Sequence, residues 1–171
     1  MNPPSGRIRS QASTQQIGVL GEQLVAQWLK LQGWQIFRHQ YHCRYGEIDL
    51  IVTKPESQQL RFVEVKTRSR RNWDANGLLA ITSKKQAKLL QTAQIFLSQT
   101  LDFSEFSCQF DVALVRCDQI NPAGTRCSPQ DSGKLIEQDL GLPQTIRQGQ
   151  PIEVMGYRLI LQHFLEGAFT E

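Results

Sequence analysis

A chain of 171 residues is one domain's worth of polypeptide, and with 40% hydrophobic and 20% charged residues neither a long multidomain enzyme nor wholesale disorder is expected. No apolar run approaches the roughly 20 residues needed to cross a bilayer, and the polar opening lacks the core of a secretory signal. A cytoplasmic protein without a membrane partner is the expectation. The net charge of +3 is small, but eight basic residues against two acids between Arg61 and Lys88 give that stretch +6 and leave −3 to the rest. Such concentration is the footprint of a surface that meets a polyanion.

Residues 1–13 are polar and rich in Pro, Gly and Ser, which reads as a flexible tail. Ser13-x-x-Gln16 resembles a capping box, after which Ile17, Leu20, Leu24, Trp28 and Leu31 recur at helical spacing until Gly33 supplies a stop. Trp34 to Arg38 predicts a short strand. Glu47 to Thr53 and Leu60 to Thr67 predict two stronger strands, joined as a hairpin by the turn-rich Lys54-Pro-Glu-Ser-Gln-Gln59. After the polar stretch Arg68–Asn76, Ser83-x-x-Gln86 announces a second helix with Leu89, Leu90, Ala93, Phe96 and Leu97 on one face. Phe110 to Val115 predicts the next strand. From Cys117 to Glu153 the composition turns to Gly, Pro, Ser and Gln, which predicts a loop-like insertion outside the core. Tyr157 to Gln162 predicts the last strand, with a terminal turn over Phe164–Phe169. Strands bracketed by helices make a small mixed sheet in an α/β (α+β) sandwich.

The chemistry lies in the charges of the hairpin. Glu64 and Lys66 are two apart on a strand and share a face, and Asp49 interrupts the preceding strand. If the strands pair residues whose numbers sum to 113, Asp49 lands opposite Glu64, with side chains starting roughly 5 Å apart, and Glu47 lands opposite Lys66. The same register gives Ile48, Leu50, Val52, Val63 and Val65 the other face. Opposed like charges call for a cation. A divalent ion such as Mg²⁺ (or Mn²⁺) could be held by Asp49, Glu64 and the Val65 carbonyl, with Lys66 acting on water or on developing phosphoryl charge. Alternatively, Lys66 simply pairs with both acids as a cross-strand salt bridge.

Asp49 followed by Glu64-x-Lys66 resembles the PD-(D/E)xK signature of restriction-endonuclease-like nucleases. Gly18-x-x-Gly21-Glu22, Gly46-Glu-Ile-Asp-Leu-Ile51, Phe62-Val-Glu-Val-Lys-Thr-Arg68, Lys84 opening the second helix, Phe110-Asp-Val112, and His163 with Ala168-Phe169 look like the YraN-like family of uncharacterised bacterial proteins. The resemblance spans about residues 16–116 and 157–169. It implies a restriction-endonuclease-like core of α-β-β-β-α-β order, similar to archaeal Holliday junction resolvases, and it implies that Glu22 completes the metal site. The chain departs from the family pattern at Gln40 and His42, where Asn and Arg are usual, and at Gln109, where Arg is usual.

The expectation is therefore a flexible tail followed by a single nuclease-like domain over residues 14–171, carrying the insertion at about 117–153. It would cut branched, flapped or damaged DNA with Mg²⁺ or Mn²⁺. Asp49, Glu64, Lys66 and Glu22 would be catalytic and Asp49 and Glu64 the metal ligands. Arg68, Arg70, Arg71, Lys84 and Lys85 would grip nucleic acid, and a homodimer is left open. The competing expectation is a non-catalytic nucleic-acid-binding module of the same fold. Of the other candidates, His39, His42 and Cys43 read as strand-edge residues before a metal cluster, and Asp111 as a salt-bridge partner before an active-site acid. Trp73 reads equally as a base-stacking platform or a loop anchor. The four cysteines, Cys43, Cys108, Cys117 and Cys127, have no C-x-x-C spacing and read as buried thiols.

Overall fold

The computed structural model describes residues 14–69, 82–120 and 140–169. Helix α1, Thr14–Leu31, buries the stripe Leu20, Leu24, Val25 and Leu29. It ends in a Schellman motif: Trp34 N–H donates to the Leu29 carbonyl at 3.0 Å and Gly33 N–H to that of Lys30 at 2.9 Å. Gly33 takes the left-handed φ of 84° that this stop requires. Trp34 is thereby turned into the core, with Lys54 and Arg61 laid over its ring.

Strands β1 (Gln35–Cys43), β2 (Gly46–Lys54) and β3 (Gln59–Arg68) form an antiparallel meander. Helix α2, Ser83–Gln99, then carries the chain to β4, Ser107–Gln119, parallel to β3, a reversal that needs a crossover. Strand β6, Tyr157–Phe169, pairs antiparallel with β4, and the short β5, Pro151–Val154, pairs with β6 at the sheet edge. The sheet order is β1-β2-β3-β4-β6-β5, and the chain order from the N-terminus is α-β-β-β-α-β, as the sequence predicts.

One helix covers each face. Leu50, Val52, Val63 and Val65 pack with α1, whereas Ile51, Leu60 and Phe62 pack with Leu89, Ala93 and Phe96 of α2. The α2 side is an aromatic cluster in which Phe62 stacks on Phe110, and Phe110 on Phe169, with centroids 5.1 and 4.8 Å apart.

Several local expectations are corrected. Ile48 lies on the α2 side and not with Leu50, so the alternation of β2 slips at Asp49. The cap of α2 is Thr82, whose hydroxyl accepts from Lys85 N–H, one residue before the predicted Ser83. The terminal turn at Phe164–Phe169 is strand, and the predicted insertion is shorter at both ends. Cys117–Gln119 completes β4, Pro151–Val154 forms β5, and Ile146 is buried in the α1-side core. Of the predicted buried thiols, Cys117 is buried, Cys43 half-buried and Cys108 exposed. Ser13, Arg70, Arg71, Trp73 and Cys127 lie outside the described residues. Among the described residues, no helix is long and apolar enough to cross a membrane.

Candidate functional site

The pairing of β2 with β3 follows the predicted register from Lys54–Gln59 to Leu50–Val63, and there it stops. Beyond this point β2 stays with β1 down to Cys43–Gly46, while β3 continues beside β4 to Arg68–Arg116. The two strands part, and the candidate residues line the cleft between them.

Asp49 sits at the apex. Its carboxylate Oδ2 accepts the Val65 N–H at 2.7 Å, taking the bond that a backbone carbonyl would take in an unbroken ladder. This is why the alternation slips here. Glu64, 3% exposed, accepts at Oε1 from Lys66 Nζ at 2.5 Å and from Lys85 Nζ at 3.1 Å. Its other oxygen, Oε2, is buried and has no hydrogen-bond partner. Glu22 projects from α1 and accepts from Gln40 Nε2 at 3.0 Å. Thus β2, β3, α1 and α2 each contribute to one spot.

Glycine spacing sets how closely the helices approach. A Cβ at Gly21 would lie 1.9 Å from Thr67 Oγ1, so α1 is pressed onto β3 directly beside Glu22. A Cβ at Gly46 would lie 3.2 Å from Thr92 Oγ1, which seats the start of β2 on α2.

The electrostatics follow from burial. The Asp49 carboxyl is pushed up to about 6, first by desolvation and then by the Glu64 charge, against the Val65 N–H, Lys66 and Lys85. That of Glu22 is pushed up to about 7, again first by desolvation, then by Asp49, with Glu47 and Glu64 adding and Gln40 opposing. Two acids whose protons are exchangeable near neutral pH therefore face one cleft.

The other predicted residues sort as follows. Glu47 does not oppose Lys66; it pairs in the β1–β2 ladder with His42, whose Nε2 is 3.2 Å from its carboxylate. Arg68 is exposed at the end of β3, and Lys84 is exposed in the first turn of α2. Asp111 is a salt-bridge partner, as expected: it accepts from Arg61 Nη1 at 3.2 Å, Gln109 Nε2 at 2.7 Å and Gly167 N–H at 2.9 Å. His39 and His42 lie on the edge strand β1. Lys85, expected among the nucleic-acid contacts, reaches Glu64 in the cleft. Gln40, which the sequence gives no reason to single out as a site residue, holds Glu22.

Among the described residues, no three His, Cys, Asp or Glu side chains gather closely enough to hold a metal ion unaided. The unpartnered Glu64 Oε2 and the hard oxygens of Asp49 nevertheless fit an ion such as Mg²⁺, which is commonly held by one or two carboxylates with water and substrate phosphate completing its shell.

Comparison with known proteins gives a consistent picture. The family described as "Uncharacterised protein family UPF0102" matches residues 21–115. A UPF0102 protein of Trichodesmium erythraeum (strain IMS101) is 47% identical over 163 residues, covering 89% of this chain and 87% of its own. Another, from Acaryochloris marina (strain MBIC 11017), is 42% identical over 176 residues, covering 99% and 98%. A third, from Synechocystis sp. (strain ATCC 27184 / PCC 6803 / Kazusa), is 42% identical over 153 residues, covering 90% and 97%.

Proposed function

The chain belongs to Uncharacterised protein family UPF0102, and we propose that the cleft between β2 and β3 makes it a divalent-metal-dependent phosphodiesterase acting on DNA of branched, flapped or damaged structure. The observation that carries this reading is the meeting of Asp49, Glu64 and Lys66 where the ladder ends, with Glu64 Oε2 buried and unpartnered. Asp49 and Glu64 would hold Mg²⁺ or Mn²⁺. The bound ion would supply Lewis-acid polarisation of the scissile phosphate.

The remaining roles belong to the chain itself. Lys66 Nζ, positioned by Glu64 Oε1, offers an ammonium to charge that grows on the phosphoryl oxygens, and Lys85, on the same carboxylate oxygen, offers a second. Glu22 can give or accept a proton near neutral pH, the property wanted of a general acid or base, and Gln40 fixes its orientation. Arg68, Arg70, Arg71 and Lys84 supply sequence-independent phosphate contacts.

One observation favours the alternative, a non-catalytic nucleic-acid-binding module: Lys66 and Lys85 already neutralise Glu64. Labelled flaps, junctions, single strands and duplexes incubated with Mg²⁺ or Mn²⁺ separate the two. Asp49→Ala should lose Mn²⁺ binding, read by calorimetry, together with cleavage. Lys66→Ala should keep Mn²⁺ binding and slow cleavage by on the order of 10²-fold or more. Binding to the panel without cleavage at any metal concentration establishes the binding module instead.

A further inference from the structure

A second concavity adjoins the cleft. The two-residue turn Arg44–Tyr45 closes the β1–β2 hairpin, and the adjacent Gly46 seats it against Thr92 and Lys88 of α2. Between turn and helix lies a groove of about 430 Å³ whose walls include Arg44, Tyr45, Lys85 and Lys88. That volume is in the range of small-molecule sites. Among the described residues Glu47 is the one acid lining it, and Glu47 is paired with His42. Even with Lys85 engaged by Glu64, Arg44 and Lys88 outnumber Glu47, so the groove presents an excess of cations to whatever enters.

Two further features give the occupant its chemistry. The Arg44 guanidinium lies over the Tyr45 ring, 4.7 Å from its centroid, so the turn carries a planar aromatic with a planar cation against its face. Such pairs stack nucleobases without regard to sequence. Lys85 forms a wall of the groove and also touches Glu64, so groove and cleft share a side chain.

We propose that the groove is a nucleotide subsite holding one unpaired DNA nucleotide beside the phosphate in the cleft, its base against Tyr45 and Arg44 and its phosphate met by Lys88 and Lys85. A base inside a duplex offers no free face to Tyr45, so the substrate class is DNA that is single-stranded next to the cut. The statement about the cut rests on the nuclease reading; the statement about binding does not.

The test is fluorescence anisotropy with the metal-free full chain, using a labelled short oligothymidylate and a blunt duplex of equal length. Tyr45→Ala should weaken oligothymidylate binding about fivefold or more and leave duplex binding unchanged. Tyr45→Leu, which keeps apolar bulk without a ring, should behave like Tyr45→Ala, and Tyr45→Trp should retain full affinity. Lys88→Gln should lower the salt slope by roughly one. Variants are compared at matched thermal midpoints. Unchanged oligothymidylate affinity in both ringless variants overturns the subsite, as does an equal loss for the duplex. Thymidine monophosphate bound as tightly as the oligonucleotide overturns the strand reading in favour of a free-nucleotide site. A wild-type protein that cuts nothing while the Tyr45 effect stands removes the nuclease reading and keeps the subsite.

Discussion

Gly21→Ala sets two effects of opposite sign against each other. In the interior of α1, alanine is ordinarily favoured over glycine by about 1 kcal/mol. Here the new Cβ would stand 1.9 Å from Thr67 Oγ1, 3.0 Å from Thr67 Cβ and 3.2 Å from its Cγ2. Rotating Thr67 moves the hydroxyl away but leaves its Cβ in place, so α1 must back off the sheet. Overpacking of this kind costs about 1–3 kcal/mol, and a contact this short belongs at the upper end. The net expectation is a loss of about 1–2 kcal/mol, or a fall in Tm of about 2–8 °C for a chain of this size. Gly18, three residues earlier in the same helix, has nothing within 4 Å of its Cβ position, so Gly18→Ala should instead gain about 1 kcal/mol. Thr67 Oγ1 has no hydrogen-bond partner, so Thr67→Ala alone should cost little, and in the double variant, which removes the contacts at Oγ1 and Cγ2 but keeps the one at Cβ, it should return part of the loss. Urea unfolding of the four variants gives the comparison. Gly21→Ala as stable as Gly18→Ala, or strict additivity with Thr67→Ala, would refute the reasoning.

Three further outcomes are expected. Burial pushes the Glu22 and Asp49 carboxyls up to about 7 and about 6, above the ordinary values of 4.5 and 3.8, so between these limits the folded chain binds protons that the unfolded chain has released. Stability of the metal-free protein should therefore fall as pH rises from about 4 to about 7 and then level off, and Glu22→Gln should flatten the upper part of that fall in urea midpoints taken at stepped pH. Asp111→Ala strips three donors of a side chain that is 0% exposed and should cost about 3–5 kcal/mol in urea unfolding; a loss under about 1 kcal/mol would make the Arg61 pair expendable. Replacing Arg70 and Arg71 together by alanine should flatten the salt dependence of DNA binding by roughly one unit per lost phosphate contact, and an unchanged slope would move the binding face elsewhere.

The register of the central hairpin is legible because the polar run Lys54–Gln59 marks the centre of the turn about which both strands pair. The point where that register ends was not legible, because it depends on one carboxylate replacing a backbone acceptor, a choice that leaves no trace in hydropathy. Lys84 and Lys85 are equivalent by composition. Only the cap at Thr82 and the seat of α2 on β2 decide that Lys85 turns toward Glu64 and Lys84 toward solvent. Strand β5 is four residues on a sheet edge, too short for period-two alternation to stand out from loop. The extension of β6 through Glu166 and Gly167 runs against strand propensity and is held by Gly167 N–H donating to Asp111, a contact between residues 56 apart in the chain.

The sheet is zipped at one end and forked at the other, and each prong is braced by a different helix. Beyond Leu50–Val63, β3 leans on α1 through the Gly21–Thr67 approach, and β2 leans on α2 through Gly46 and Thr92. No rung of backbone hydrogen bonds ties the prongs to each other there. The gap is consequently gauged by side-chain volume at two hydrogen-sized positions and not by the fixed spacing of a β-ladder. Asp49, clasping Val65 at the crotch, serves as the stop that keeps the zip from closing further. The width of the mouth thus answers to methyl-sized changes at Gly21 on α1 and Gly46 on β2.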